Sequence, residues 1–471
     1  MSAPASASYS AEVWREFRRH RLAVAALLVA GVVVLLALLC PLVANNRPLY
    51  LRAPLVSEFR DSVAIAAEQV RFDTEESRRL AARALDRMRE HLPPEHHDAL
   101  QGIRARLSGG SVSPEERARA SAEIMALFNV EPVAVVRFPA FRALTRSELA
   151  AVLLIPLVAV GWLIRRRHLM LVVAGACVAS LALASAIRVV IPEVKDSRSY
   201  RRLIASEEFR RDGFALMPPV PFGENENVIS EARRAPTWLI PSEERSANWR
   251  WLGTDTNGRD VLARMVYGAR VSVLVGVMSV GLYTLIGVIL GALAGYYRGW
   301  ADMAISRLLE FVICFPVLMV ILAVQAFLAP SLWNLIGALA LLWWTGVARL
   351  QRAEFLRLAD AEFVHAVRAL GGSDLRIIFL HLLPNSIAPI LVVVSFGIAG
   401  SIVVESALSF LGFGVPQPMA SWGDLLNNGR NDVRGLWWLT IFPGVAIFLT
   451  VTCFNLVGEA LRDALDPRRT H

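Results

Sequence analysis

Lysine is almost missing from this 471-residue chain: Lys195, in PEVKDS, is the only one. No loop of the form GxxxxGKS or GxxxxGKT can exist, which excludes a P-loop nucleotide hydrolase. Cysteine is scarce too. Cys40, Cys177, Cys314 and Cys453 are far apart and fall in apolar stretches, so they read as small hydrophobic side chains. Neither a disulfide framework nor a metal cluster follows from them. There is no HExxH and no GxSxG, and no pair of acids sits at matched depth inside the apolar runs. Beyond a Ser/Ala-rich start there is no low-complexity tract or internal repeat.

What is abundant is hydrophobic sequence, 55% of the residues, with a mean hydropathy of +0.47. That fits several membrane spans plus sizeable polar parts. The net charge of +8 comes from arginines beside apolar runs. The positive-inside rule accounts for that placement better than nucleic-acid binding does.

Taken in order, residues 1–21 read as a cytoplasmic interfacial helix. Trp14 and Phe17 share one side, with Arg15, Arg18, Arg19 and Arg21 around them. The run 22–44 can cross the ~30 Å hydrocarbon core, which argues against a cleaved signal peptide. Residues 45–147 form a charge-rich extracytoplasmic insertion. Leu80, Ala84, Met88 and Leu92 predict one amphipathic helix there and 114–128 another, broken by Pro93-Pro94 and Gly109-Gly110. His91, His96 and His97 lack helical metal-ligand spacing and read as solvated surface histidines. Residues 148–191 predict an extra transmembrane hairpin that turns at Arg165-Arg166-Arg167-His168, with Arg188 snorkelling near its outer end. The segment 192–267 is polar and extracytoplasmic, carries Trp238, Trp249 and Trp251, and ends in GTDTNGRD.

The remaining spans are expected at 271–296, 305–328, 332–348, 387–404 and 436–457. The first carries Gly276, Gly281, Gly287, Gly291 and Gly295 as a small-residue face for close packing. Pro316 should kink the second, where Glu310 pairs with Arg307. Between 348 and 387 lies a polar island. Phe355, Ala359, Phe363, Val367 and Leu370 predict a helix into it. Gly371-Gly372 ends that helix, Ser373 caps a second one with Asp374 in its first turn, and Pro384 stops it. Two short helices at an angle make a knob suited to a groove in another protein. The chain ends at 464–471 with Arg468 and Arg469.

The knob, at 355–385, resembles the EAA loop of binding-protein-dependent ABC importer permeases. Ala366, Gly371, Leu383 and Pro384 match that motif. His365 stands where Glu is usual, Val367 where the second Ala is, and His381 where Ile is. Glu362 and Asp374 belong to the same surface. The words RALG, SDLRIIF and LPN are similar to the C-type subunit of dipeptide, oligopeptide and nickel permeases. Two further blocks resemble that subunit in the right order. The first holds Gly253, Asp255, Gly258, Arg259 and Asp260. The second holds Glu405, Leu408, Ser409, Phe410, Leu411, Gly412, Gly414, Ser421, Trp422 and Gly423.

Residue chemistry alone reads Asp255 and Asp260 as members of a hydrogen-bonded turn before any metal site. Glu405 and Ser409 are the pathway candidates, with structural hydrogen bonding as the plainer role for Glu405.

The resemblance implies an all-α integral membrane protein, a type I ABC importer transmembrane domain. It has about eight spans here, both termini in the cytoplasm, and a permease core at 268–463. It implies a bacterial inner-membrane subunit that forms half of a pathway for peptides or a related small solute. The implied partners are a homologous B-type subunit, two ATP-hydrolysing subunits that dock on the knob, and an extracytoplasmic solute-binding protein. No cofactor or metal is bound by this chain. The competing class is an integral membrane enzyme acting on lipid or peptide, for which the sequence offers no motif. The outer segments are expected to form a cap that meets the binding protein.

Overall fold

The computed structural model describes residues 9–108, 112–164, 169–191, 193, 200–244, 248–328 and 330–465. Gly109-Gly110, the arginine turn at 165–168, Lys195, Ala329, Arg468 and Arg469 lie outside them. The chain divides into two compact units, one made of Met1–Ala44 with Phe222–His471 and the other of Asn45–Pro221.

The first unit opens with α1 (Tyr9–Arg19) and α2 (Arg21–Val43). Phe17 is buried with Ala23 and Ala460, and Trp14 is exposed.

The second unit follows as β1 (Tyr50–Ala53), α3 (Val56–Gln69), α4 (Glu75–Arg89), α5 (His97–Ser108), α6 (Pro114–Ala126) and β2 (Val135–Arg137). It continues with α7 (Pro139–Ala143), α8 (Arg146–Ile164), α9 (Leu169–Val190), α10 (Tyr200–Ala205), α11 (Glu207–Asp212) and β3 (Phe214–Leu216). Helices α3 to α6 close around Phe59, Val63, Leu85, Met88, Ile103 and Ile124. Ser113 starts α6 with a capping box: its hydroxyl accepts from the Glu116 amide at 3.3 Å while Glu116 accepts from the Ser113 amide at 3.1 Å.

Three expectations are corrected in this unit. The chain is mostly helical but not all-α: β1 pairs antiparallel with both β2 and β3, in the order β2-β1-β3. The sheet thus joins strands from 45–147 and from 192–221 into one body. Leu80 is exposed, because the buried face of α4 is Ala81, Ala84, Leu85 and Met88. His91 is no surface residue. At 1% exposure its Nδ1 meets the Arg87 carbonyl at 2.9 Å and its Nε2 meets Arg137 at 3.2 Å.

The first unit resumes with α12 (Val261–Tyr297), α13 (Gly299–Ile313), α14 (Val317–Phe327), α15 (Leu332–Ala359) and α16 (Glu362–Ala369). Then come α17 (Asp374–Arg376), a π-helical segment Ile377–Leu382, α18 (Leu383–Leu411), α19 (Trp422–Gly429) and α20 (Trp438–Leu465). Pro316 does more than kink its span: α13 and α14 meet at 77°. Arg307 and Glu310 pair at 2.7 Å on an exposed face.

Among the described residues, five helices are long and apolar enough to cross a membrane: Arg21–Val43, Val172–Val190, Val261–Tyr297, Asp374–Leu411 and Trp438–Leu465. Counting α13 with α14 as one span makes six. The stretch expected at 149–164 is helical as part of α8, and 332–348 is helical within α15, which does not reach that threshold. In α15, Asn334 and three tryptophans dilute the apolar run.

The glycines of α12 form two patches. Gly287, Gly291 and Gly295 lie against α15, so close that a Cβ at Gly291 would sit 2.5 Å from the Ala348 carbonyl oxygen. Gly276 faces Ile398 and Ile402 of α18, while Gly281 meets nothing within 4 Å. Small residues here let two long helices touch along their backbones.

Candidate functional site

The knob begins where α15 ends. Asp360 and Ala361 break the helix that the apolar spacing carries on to Leu370, and α16 is a separate element. Gly371 then turns the chain at φ +78°, a conformation that side chains with a Cβ resist. The amides of Gly371 and Gly372 bond back to the carbonyls of Arg368 (3.0 Å) and Val367 (3.0 Å), which closes the end of α16. Ser373 holds the capping position of α17 without a side-chain cap bond.

Pro384 does not stop the next helix. It lies in the first turn of α18, where its missing N–H is no loss after the widened π turn, and the helix runs on to Leu411.

The inner side of the knob is a packed core. Val364, Ile377, Ile378 and Leu382 are buried with Ala292 and Tyr296 of α12 and Phe355 of α15. Each such side chain contributes roughly 1.5–3 kcal/mol of burial. Polar ties reinforce it. The Tyr296 hydroxyl donates to Asp374 Oδ1 at 2.6 Å, and Arg368 reaches the same hydroxyl at 3.4 Å. A buried bond of 2.9 Å from Gln351 to Ser386 joins α15 to α18. Arg352 grips Asp302 with two nitrogens, and Arg298 pairs with Asp360 at 2.7 Å.

The outer side is apolar and open. Leu370 is 88% exposed, and Leu375, Phe379 and Leu380 are each more than half exposed. Glu362, His365 and Ala366 are exposed on α16, and Pro384 is exposed too. Leu383 and His381 are half-buried, and the His381 carbonyl accepts from Asn385 at 2.7 Å. Asp374 is thus the one motif residue tied to the core by its side chain in the bonds described. Tyr296, Asp302 and Arg352 lie outside the motif and escape a reading confined to it.

A second constellation is built around GTDTNGRD. Asp255 Oδ1 accepts from the amides of Asn257 (2.8 Å) and Arg259 (3.0 Å), and its Oδ2 accepts from Arg259 Nε at 2.6 Å. Asp260 caps α12 through the Ala263 amide at 2.8 Å. Gly258, at φ +75°, lies so near Val228 that a Cβ would be 2.0 Å from its carbonyl oxygen. Gly253 also has positive φ.

Around this turn Arg250 pairs with Glu231 (2.7 Å) and Asp260 (3.5 Å) and stands 3.5 Å over the Phe222 ring. Arg264 pairs with Asp424 at 2.8 Å and approaches Asp255 at 3.7 Å. Buried acids and guanidiniums thus balance one another, and among the described residues no group of His, Cys, Asp and Glu could hold a metal. Glu231, Arg250, Arg264 and Asp424 carry no local motif, so only the folded chain reveals them.

The third constellation gathers Glu405 and Ser409. Glu405 is fully buried in α18, and its carboxylate accepts from Ser272 at 2.9 Å and Ser409 at 2.8 Å. Ser272 comes from α12, so the clasp joins two long helices.

Comparison with known proteins adds the family. Residues 287–471 match the binding-protein-dependent transport system inner membrane component. Residues 8–54 match the N-terminal TM domain of oligopeptide transport permease C. A "Peptidoglycan transport system permease protein YejE" of Agrobacterium fabrum is 38% identical over 58% of this chain and 75% of its own length. The chain belongs to the binding-protein-dependent permease family.

A "Dipeptide transport system permease protein DppC" of Alkalihalophilus pseudofirmus is 43% identical over 46% of this chain and 72% of its own. An "Inner membrane ABC transporter permease protein YejE" of Escherichia coli is 38% identical over 56% and 75%. This permease is a multi-pass membrane subunit of an ABC importer, of the type that includes oligopeptide permease C, and is not itself an enzyme. Membership implies ATPase and binding-protein partners.

Within the permease, the serine clasp separates two roles for Glu405. A Glu405→Leu variant strands the Ser272 and Ser409 hydroxyls, and the expected cost is about 1–3 kcal/mol in thermal unfolding. Glu405→Gln keeps an acceptor and should unfold closer to the parent. A Gln variant as stable as the parent but without uptake would assign the carboxylate to cargo handling instead.

Proposed function

We propose that this chain is the C-type half of a heterodimeric type I importer, with eight spans, both termini in the cytoplasm and short peptides as its cargo. Its homologous B-type partner supplies the other half of the pathway. A solute-binding protein delivers at the outer face, and two ATPase subunits dock on the knob. The names of two relatives, one for dipeptides and one for peptidoglycan, support a cargo with peptide chemistry.

The observation that carries the coupling role is the two-sided knob. Its inner face is locked to α12 and α15, so a push on it moves the long helices as a body. Its outer face offers Leu370, Leu375, Phe379 and Leu380 to a partner groove. His365, in the place of the usual Glu, lies on that exposed surface and gives the groove a polar neighbour.

A single cysteine at position 371 tests the orientation. In intact cells it should resist a membrane-impermeant maleimide and react only after permeabilisation. Labelling from outside would put the knob on the wrong side and end the scheme.

A further inference from the structure

The second unit has a surface that coupling leaves unused. The three-stranded sheet alternates faces, as strands must. Leu51 and Ala53 point inward and are buried with Leu55, Tyr200 and Phe209. The opposite face carries Tyr50, Val136, Phe214 and Leu216 around Arg52, by the pairings Arg52 with Val136 and Phe214, and Tyr50 with Leu216. Phe138 continues it, with its ring 5.7 Å from that of Tyr50. Phe214 lies 6.0 Å from Tyr50 and is 59% exposed. A contiguous aromatic and aliphatic face of this kind is costly to leave in water.

What covers it follows from where it is anchored. Arg188, near the end of α9, is buried, which corrects the snorkelling role expected for it. Its guanidinium donates to the carbonyls of Phe141 (2.9 Å), Leu144 and Arg142 (3.4 Å). Those residues form the short bridge from β2 to α8, and Phe141 is itself exposed, its ring 6.5 Å from Phe138. Helix α8 starts at once, through a cap in which Thr145 and Glu148 exchange bonds of 2.8 and 3.3 Å. The sheet is therefore pinned to the end of a hairpin whose α9 is long and apolar enough to cross a bilayer. At that same end Val190 is 79% exposed.

We propose that the outer face of this sheet rests on the lipid surface, at the leaflet where α8 begins and α9 ends. The aromatic rings sit at headgroup depth, and Arg52, Arg142 and Arg146, all exposed, meet the phosphates. The arrangement fixes the height of the second unit on the bilayer. It rests on the hairpin crossing the membrane, and the test separates the two claims.

In a variant with its four cysteines replaced by alanine, single cysteines at Phe138, Phe214, Leu181 (mid-α9) and Arg79 (polar face of α4) carry a nitroxide. The assembled transporter is reconstituted in vesicles with one-third anionic lipid, and collisions with oxygen and with a water-soluble nickel chelate are compared. The expected oxygen-to-nickel ratio at 138 and 214 is severalfold above that at 79 and below that at 181. A water-like ratio at 138 and 214, with a lipid-like ratio at 181, overturns the proposal and leaves the hairpin standing. A water-like ratio at 181 overturns both. If 138 and 214 become shielded only when a solute-binding protein is added, the face belongs to that protein and the proposal fails.

Discussion

A Gly371→Asp variant is expected to insert and fold yet lose ATP-driven uptake by about a hundredfold or more. Position 371 has positive φ, but nothing lies within 4 Å of where its Cβ would be. Aspartate and asparagine tolerate this conformation better than other side chains, so the backbone cost is held to about 1 kcal/mol. The charge is the larger effect. Leu370 and its neighbours are poised to bury in a partner groove, and an unpaired carboxylate carried in with them costs several kcal/mol. Each 1.4 kcal/mol is about a factor of ten in an equilibrium. Gly371→Asn has the same shape without the charge and should keep most of its uptake. Peptide uptake and substrate-stimulated ATP hydrolysis in proteoliposomes give the comparison. Equal activity of the Asp and Asn variants would remove the groove-docking role.

The second large effect concerns stability. Arg264→Ala leaves Asp424 and Asp255 buried without a cation that both of them use. Breaking a buried pair from one side costs about 3–5 kcal/mol. The variant should unfold well below the parent temperature in detergent, and its α12–α19 junction should become open to protease. Arg264→Ala combined with Asp424→Ala removes both ends of that pair and should recover part of the loss. A single variant as stable as the parent would show that the side-chain amides of Gln417 and Asn428, which also donate to the Asp424 carboxylate, suffice on their own.

The long helices were legible because hydropathy is a sum over many residues and tolerates local errors. The knob was legible as a pair of helices around Gly371, since a positive-φ turn is written into a single residue type. Its ends were not. Asp360 ends α15 although the apolar spacing continues through Phe363 and Val367, and that spacing by itself does not mark where one helix stops and the next begins. Pro384 looks like a stop in a one-dimensional reading, yet the widened π-helical turn just before it accommodates the missing N–H and the helix passes through.

The sheet escaped for a different reason. Its strands have only 3–4 residues each, and β1 meets partners more than 80 residues away in the chain. The signature turn announced Asp255 and Asp260, but Arg264's partner Asp424 lies 160 positions further on. No local spacing can declare such a pairing.

The continuous helix from Asp374 to Leu411 has a mechanical consequence. Its 38 residues, at ~1.5 Å of rise each, make a lever about 57 Å long. A 5° tilt about its cytosolic end would swing the far end by roughly 5 Å. The 2.9 Å bond from Ser272 of α12 to Glu405 cannot stretch that far. Either α12 travels with the lever, or the serine latch opens on every stroke.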